Sequence, residues 1–242
     1  LKQAGEKYIA IWWSVFLGSA LFLPVVFFLG VPSQSVWVML FISVLVEIAY
    51  YIILSTAYRD ADFSMVYPLA RGAAPAFLAI WSATFLGERL SSNGLFGLAV
   101  IIAGLLIVGA SNLIRPHKEK VHLRGMALAL FLALLISIYS AIDGAAVKRT
   151  PALAYGVLIF FFPPVLTIPL MFRHFGWQVL KTELITHWRR MISIGVLMVL
   201  AYLLGLMAYS ISPVSYTGAI REVSVVLGAL AGWVFLKERM GG

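Results

Sequence analysis

The sequence predicts an all-α, polytopic membrane protein with about eight transmembrane helices, arranged as inverted five-helix repeats. Of its 242 residues, 62% are hydrophobic and only 12% are charged, whereas a soluble domain carries about 25% charged residues. The apolar residues form long continuous runs without period-two alternation, which argues against a β-barrel. Arg71 and Arg221, 150 positions apart, lie at matching places in two of these runs.

Each predicted helix is an apolar segment of about 20 residues, the length that crosses a bilayer core of about 30 Å. Short connecting segments rich in Gly, Pro or charged residues separate the apolar segments, so consecutive helices should be antiparallel neighbours. In chain order the breaks are 30–34, 58–62, 87–93, 113–122, 148–151, 173–187 and 211–212. The segments are 8–29, 35–57, 63–86, 94–112, 123–147, 152–172, 188–210 and 213–236.

The chain contains an internal duplication. Arg71 is followed 14 residues later by Phe-Leu-x-Glu-Arg beginning at Phe85, and Arg221 is followed at the same distance by that motif beginning at Phe235. Helices 94–112 and 123–147 have no counterpart in the other half, so each intact repeat should have five helices. An odd number inverts the second repeat relative to the first. We therefore expect repeats at 1–112, lacking most of its first helix, and at 113–242, lacking its last.

Composition excludes several functional classes. The net charge of +8 does not indicate a nucleic-acid partner, because the lysines and arginines lie in short loops and no basic face carries interleaved aromatic residues. The chain has no cysteine, so thiolate metal sites and iron–sulfur clusters are excluded. All four histidines fall in loops, which supports no metal site or histidine catalyst within the membrane. We predict no cofactor and no metal.

The order of the motifs is similar to a known family. The run Tyr-Pro-Leu-Ala-Arg-Gly-x-x-Pro from Tyr67, the Leu-Gly-Glu-Arg-Leu helix end from Leu86, and Gly94, Gly97 and Gly104 resemble the EamA type of the drug/metabolite transporter superfamily. The resemblance implies a ten-helix inverted-repeat transporter, not an enzyme, that carries amino acids, other metabolites or drugs through a central cavity. We expect it in the bacterial inner membrane. The positive-inside rule places the more basic set of loops, which includes both ends of this chain, in the cytoplasm. The resemblance implies that both termini of the complete ten-helix protein are cytoplasmic, which places that set of loops outside. The two arguments about orientation therefore disagree.

Arg71 is the strongest candidate for substrate binding. It lies about eight residues inside a helix, where an ionised group costs at least a few kcal/mol. Pro68, Gly72 and Pro75 should interrupt that helix, as in discontinuous transporter helices. A guanidinium offers bidentate donors to a carboxylate or phosphonate. The alternative is an ion pair with Glu47 that fixes helix packing.

The other candidates are charged or phenolic side chains inside apolar helices. Glu47 could hold a substrate ammonium or carry a coupling proton. Arg221 and Glu222 should point about 100° apart, so each needs its own partner, in the cavity or in an interhelical salt bridge. Asp143 shares a helix face with Tyr139 and is either a gate or a cap at the interface. The predicted substrate-binding set is Glu47, Tyr50, Tyr51, Tyr67, Arg71, Tyr139, Asp143, Arg221 and Glu222.

These features favour a transporter of a small anionic or zwitterionic, amino-acid-like metabolite, working by alternating access around a mid-membrane site. Its expected partners are the small-molecule substrate and the lipid bilayer, with proton coupling left open. One alternative is a membrane-embedded lipid-modifying enzyme, which would need a nucleophile, base or metal cluster near the interface. The other is a structural membrane subunit, which would not need a duplicated buried arginine.

Overall fold

Nine α-helices account for nearly all the residues that the computed structural model describes, which are 2–60, 63–114 and 123–236. No strand occurs in these ranges. The prediction of an all-α, polytopic membrane protein is therefore confirmed. The helices are α1 (Lys2–Leu29), α2 (Gln34–Asp60), α3 (Phe63–Phe85), α4 (Ser92–Ile114), α5 (Leu123–Val147), α6 (Ala152–Leu166), α7 (Ile168–Phe175), α8 (Trp177–Ile211) and α9 (Val214–Leu236).

Among the described residues, five spans are long and apolar enough to cross a membrane, judged by length and composition. They include the segment formed by α6 and α7 together. The five spans are Tyr8–Leu29, Gln34–Leu54, Gly125–Val147, Ala152–Phe175 and Trp177–Ile211.

The predicted segment 152–172 is broken into α6 and α7 at Thr167. Pro169 lies just after the break, and a proline cannot donate the helical hydrogen bond to the carbonyl four residues earlier. The indole Nε1 of Trp12 donates to the carbonyl of Pro164 at 3.1 Å and to the hydroxyl of Thr167 at 3.0 Å. This pair of bonds ties α1 to the break.

The predicted segment 188–210 is longer in the structure, because α8 begins at Trp177 and has 35 residues. The polar stretch 177–187 is therefore helix rather than a connecting loop, and that part of the prediction was wrong. No proline or glycine interrupts residues 177–194. Leu180 is fully buried beside Trp13, whose indole donates to the Leu180 carbonyl at 3.0 Å. This contact with α1 supports the helix where the charge pattern predicted a loop.

The chain divides into two compact units. Unit 1 consists of Leu1–Leu45 and Ile142–Ile211, and unit 2 of Val46–Ala141 and Ser212–Gly242. The boundaries fall inside α2 and α5, so each of these helices contributes to both units. Each unit also draws on both predicted repeats, which shows that the units and the repeats are different divisions of the chain. The repeat boundaries and the inversion stay predictions.

The core of unit 1 depends on a very close crossing of α1 and α8. A Cβ atom added at Gly195 would lie 1.9 Å from the backbone oxygen of Ser14, and one added at Gly18 would lie 2.4 Å from the backbone of Gly195. Small residues permit this approach, which is typical of helix pairs in membranes. The sequence analysis placed no weight on either glycine.

In unit 2, α3 packs against α4 and α9, and its small residues lie against α5. Ala70, Ala73 and Ala74 belong to one buried cluster with Leu132 and Ala133. Despite Pro68 and Pro75, α3 is continuous from Phe63 to Phe85, so the predicted interruption was wrong. The face of α3 that carries its small residues packs along α5, and this packing supports the continuous helix.

Glu88, in the loop after α3, caps the N-terminus of α9. Its Oε1 accepts from the backbone N–H of Val214 at 2.6 Å, and its Oε2 accepts from the N–H and hydroxyl of Ser215 at 3.2 Å and 2.8 Å. A carboxylate here satisfies unpaired donors and complements the helix dipole. Its counterpart in the second motif, Glu238, lies outside the described residues.

The close crossing of α1 and α8 makes Gly195→Ala destabilising. The added methyl group must displace the backbone of α1, and overpacking of this kind costs about 1–3 kcal/mol. The control is Gly97→Ala, because a Cβ at Gly97 meets nothing within 4 Å and alanine favours helix. Thermal unfolding of the protein in detergent checks the pair, and equal melting temperatures for both variants would contradict the role of the crossing.

Candidate functional site

A buried ion pair joins α3 and α9 in unit 2. The Nη1 atom of Arg71 donates to both carboxylate oxygens of Glu222, at 2.8 Å and 3.1 Å. The Glu222 side chain is 3% exposed and that of Arg71 is 26% exposed. Each is the ninth residue of its helix, more than two turns from the N-terminus. The sequence analysis named an ion pair with Glu47 as the alternative role of Arg71. The structure shows Glu222 bound to Arg71, and the pairing with Glu47 stays a prediction.

Arg221 flanks the same carboxylate. Its Nε lies 4.0 Å from Oε1 of Glu222, at the outer limit of an ion pair. The helical offset between neighbouring residues prevents a better approach, as the sequence predicted. Glu222 therefore lies between two guanidinium groups, one bound directly and one at the limit of contact.

The second half of α2 and the adjoining part of α5 add Glu47 and three tyrosines to this cluster. Glu47 is 8% exposed and interacts electrostatically with Tyr51 and Tyr139. Tyr139 also interacts with both arginines, and its ring lies 6.1 Å from that of Tyr50. Tyr50 and Tyr139 are buried, whereas Tyr51 is 47% exposed. Unit 2 thus gathers most of the predicted site into one group, which we call the charged cluster: Glu47, Tyr50, Tyr51, Arg71, Tyr139, Arg221 and Glu222.

The formal charges of the charged cluster balance. Arg71 and Arg221 contribute two positive charges, and Glu47 and Glu222 contribute two negative charges. Guanidinium groups can only donate hydrogen bonds and ionised carboxylates can only accept them, while phenolic hydroxyls do both. The cluster can therefore bind a group of either sign, and it matches a ligand that carries both.

Asp143 belongs to unit 1, where three hydroxyl groups from three other helices bind it. Ser43 of α2 and Tyr155 of α6 donate to Oδ1 at 2.5 Å and 2.6 Å, and Tyr202 of α8 donates to Oδ2. Asp143 is fully buried. A cap or exposed interfacial charge, one of the two predicted roles, does not fit this environment. We call Asp143 with Ser43, Tyr155 and Tyr202 the hydroxyl cage.

Sequence reasoning missed the three hydroxyl residues of the cage. The available signal was tyrosine inside apolar helices, because a buried phenol usually needs a hydrogen-bond partner. Tyr155 and Tyr202 lie in such runs, 12 and 59 residues from Asp143, so no local pattern connects them to it. The side chain of Tyr67, another predicted site residue, lies outside the described part of the structure.

The first half of the chain is similar to a known protein family. Residues 5–110 match the EamA-like transporter family. This match and the relatives described below support membership of the drug/metabolite transporter superfamily. This confirms the resemblance found in the sequence and points to a transporter family rather than an enzyme. The protein is integral to the membrane, and its bacterial relatives indicate the inner membrane.

Two curated relatives illustrate the similarity within this superfamily. The pseudopaline exporter CntI of Pseudomonas aeruginosa is 26% identical over 168 residues, which cover 68% of this chain and 55% of the relative. The multidrug resistance protein EbrB of Bacillus atrophaeus is 36% identical over 67 residues, covering 28% of this chain and 56% of the relative. The chain thus spans about half the length of the curated relatives it matches. No solved structure matches it significantly.

Removing the carboxylate from the buried ion pair should destabilise the protein. Glu222→Gln keeps the side-chain shape but deprives Arg71 of its charged partner. Breaking a fully buried pair costs about 3–5 kcal/mol; since Arg71 is partly exposed, we expect about 1–3 kcal/mol. The control is Glu183→Gln. In the natural protein, the carboxylate of Glu183 lies 3.9 Å from His187 in the first half of α8. The check is chemical denaturation in lipid nanodiscs, and an equal loss in both variants would contradict the importance of the pair.

Proposed function

We propose that this protein transports a small zwitterionic or anionic, amino-acid-like metabolite across the membrane, and that the charged cluster of unit 2 binds it. The Arg71–Glu222 ion pair is the observation that carries the proposal. It joins the arginine of one predicted repeat to the helix that carries the matching arginine of the other. Ionised groups within apolar helices are costly and by default indicate a functional site.

The ion pair supports a zwitterionic substrate in particular. An amino acid carries an acid and an amine, the two charges that Arg71 and Glu222 present to each other. When such a molecule binds, its acid group can take the place of Glu222 on the guanidinium groups, and Glu222 or Glu47 can accept its ammonium group. No charge is then left buried without a partner, so the exchange avoids the penalty for breaking a buried pair.

The relatives support transport of small molecules, since one is named an exporter of pseudopaline and another a multidrug resistance protein. In inverted-repeat transporters, substrate binds near the bilayer midplane and the repeats alternate its access to the two sides. Here the charged side chains of α3 and α9 lie well inside their helices, as such a site requires. We propose the same alternating access for this protein.

The binding role of Arg71 is tested by Arg71→Lys. Lysine keeps the positive charge but lacks the planar fork that holds a carboxylate through two hydrogen bonds. One lost charge-assisted bond is worth about 1.5–3 kcal/mol, so affinity should fall about tenfold or more while the variant still folds. Arg89→Lys is the matched control, because Arg89 is exposed in the loop after α3. Unchanged affinity in a well-folded Arg71→Lys variant would make this arginine structural.

The substrate class is tested with the full natural protein in detergent. The 20 common L-amino acids are screened by thermal shift, and the strongest ligand is compared with its amide and its N-acetyl form. We expect both derivatives to bind more weakly, because the amide lacks the acid group and the acetyl form lacks the ammonium group. If the amide binds as well as the parent, the arginines do not recognise an acid group. If the acetyl form binds as well, the substrate is an anion rather than a zwitterion.

A further inference from the structure

The hydroxyl cage of unit 1 contains a third buried acidic group, Asp143, which does not belong to the charged cluster. We propose that Asp143 binds the proton that couples to transport, rather than a charged group of the substrate. The coupling part of this inference rests on the proposed transport function. The proton-binding part does not, because it follows from the surroundings of the carboxylate.

The closest partners of Asp143 are neutral hydroxyl groups. Ser43 and Tyr155 donate to one carboxylate oxygen and Tyr202 donates to the other. Asp143, Ser43 and Tyr155 are all fully buried. Four helices therefore meet at one acidic group in an interior where a charge is costly without such partners.

A hydroxyl shell can satisfy this acid in both of its protonation states. Each hydroxyl has one donor hydrogen and two acceptor lone pairs, and it rotates to suit its surroundings. When Asp143 is ionised, the three hydroxyls donate to it. When a proton adds to one carboxylate oxygen, the new O–H bond can donate to a hydroxyl oxygen, which turns its own hydrogen away. No other covalent bond forms or breaks; only the hydrogen bonds around the carboxylate change.

Ser43 is well placed to make that turn. A serine in a helix can donate instead to the carbonyl four residues earlier. Ser14, Ser19 and Ser193 all do so in this protein, at 2.7 Å, 2.7 Å and 3.0 Å. Ser43 lies within α2, so the carbonyl of Met39 occupies the equivalent position. Protonation of Asp143 then leaves the Ser43 hydroxyl hydrogen with an acceptor.

Glu222 offers a contrast, because its partner is a guanidinium. Arg71 has donors but no acceptor, so it cannot accept a hydrogen bond from its partner. The ionisable side chains seen to bind Asp143 are the phenols of Tyr155 and Tyr202. Further ionisable groups within two turns of these contacts are Glu47 on α2, Tyr139 on α5 and Tyr209 on α8. The cations that directly follow α5, Lys148 and Arg149, are exposed. The hydroxyls of the cage, unlike the guanidinium of Arg71, can both donate and accept, as a change of protonation at Asp143 requires.

Two continuous helices carry members of both groups. Ser43 and Glu47 are four residues apart on α2, and Tyr139 and Asp143 are four residues apart on α5. Residues at this spacing lie on one helix face, one turn apart. A change in the bond between Asp143 and Ser43 therefore acts on α2 one turn from Glu47. This spacing gives proton binding a route to the charged cluster.

The proton site is tested first by infrared spectroscopy, without any substrate. The full natural protein is placed in phosphatidylcholine bilayers and difference spectra are recorded as the pH is changed. We expect a carboxylic C=O band that is absent from Asp143→Asn, displaced in frequency in Tyr202→Phe, and unchanged in Tyr8→Phe, whose phenol is exposed on α1. If Asp143→Asn shows the same bands as the natural protein, Asp143 does not bind a proton and the proposal fails.

Coupling is tested in proteoliposomes with the radiolabelled L-amino acid that gives the largest thermal shift in the screen above. Asparagine keeps one oxygen and replaces the proton with a permanent donor, so Asp143→Asn should still exchange labelled for unlabelled amino acid. It should lose accumulation driven by a pH gradient, whereas the control Tyr8→Phe, at an exposed phenol outside the cage, should keep it. Loss of both activities in a variant with normal size-exclusion and thermal behaviour would overturn the proposal in favour of a structural or substrate-binding role.

A natural protein that exchanges the amino acid but ignores the pH gradient would also overturn the coupling, while leaving the proposed transport function intact. A natural protein that moves none of the amino acids would instead refute the proposed function. In that case the infrared band alone decides whether Asp143 is a proton site.

Discussion

The cost of placing charge among apolar helices is the constraint on which unit 2 depends. An ionised arginine within a membrane helix is costly unless another group compensates it, and here Glu222 binds Arg71 at 2.8 Å. The carboxylate comes from another helix, so the pair also fixes how α3 and α9 pack. A buried pair of this kind adds little net stability compared with apolar packing. Net stability alone therefore does not account for the pair, which is consistent with the proposed binding role.

The two buried carboxylates that this structure describes in most detail are satisfied in different ways. Glu222 is bound by a guanidinium group, which can only donate hydrogen bonds. Asp143 is bound by hydroxyls that can also accept, which allows its charge to change. In the mechanism that we propose, the charged cluster recognises the charges of the substrate and Asp143 alternates between two protonation states. The chain places them on different compact units while α2 and α5 contribute to each.

Packing around these groups relies on small side chains and on caps. Gly18 and Gly195 bring α1 and α8 into backbone contact, and the alanines of α3 share a buried cluster with residues of α5. Glu88 satisfies the first amides of α9, the helix that carries Arg221 and Glu222. The helices that carry the charged side chains are therefore fixed in place by specific contacts at their ends and along their faces. Precise placement of a binding group requires such support.

The sequence by itself determined the all-α membrane class, indicated the superfamily and named all seven residues of the charged cluster, because helix length, hydropathy and the repeated arginine are properties of local runs of residues. It also predicted the first and last residues of α3 and α9 to within one position. The tertiary structure decided which acid meets which base. Arg71 pairs with Glu222, 151 positions away, and Asp143 meets Tyr202, 59 positions away. Contacts between distant helices depend on how their faces rotate and pack, and no periodicity within one helix encodes that rotation.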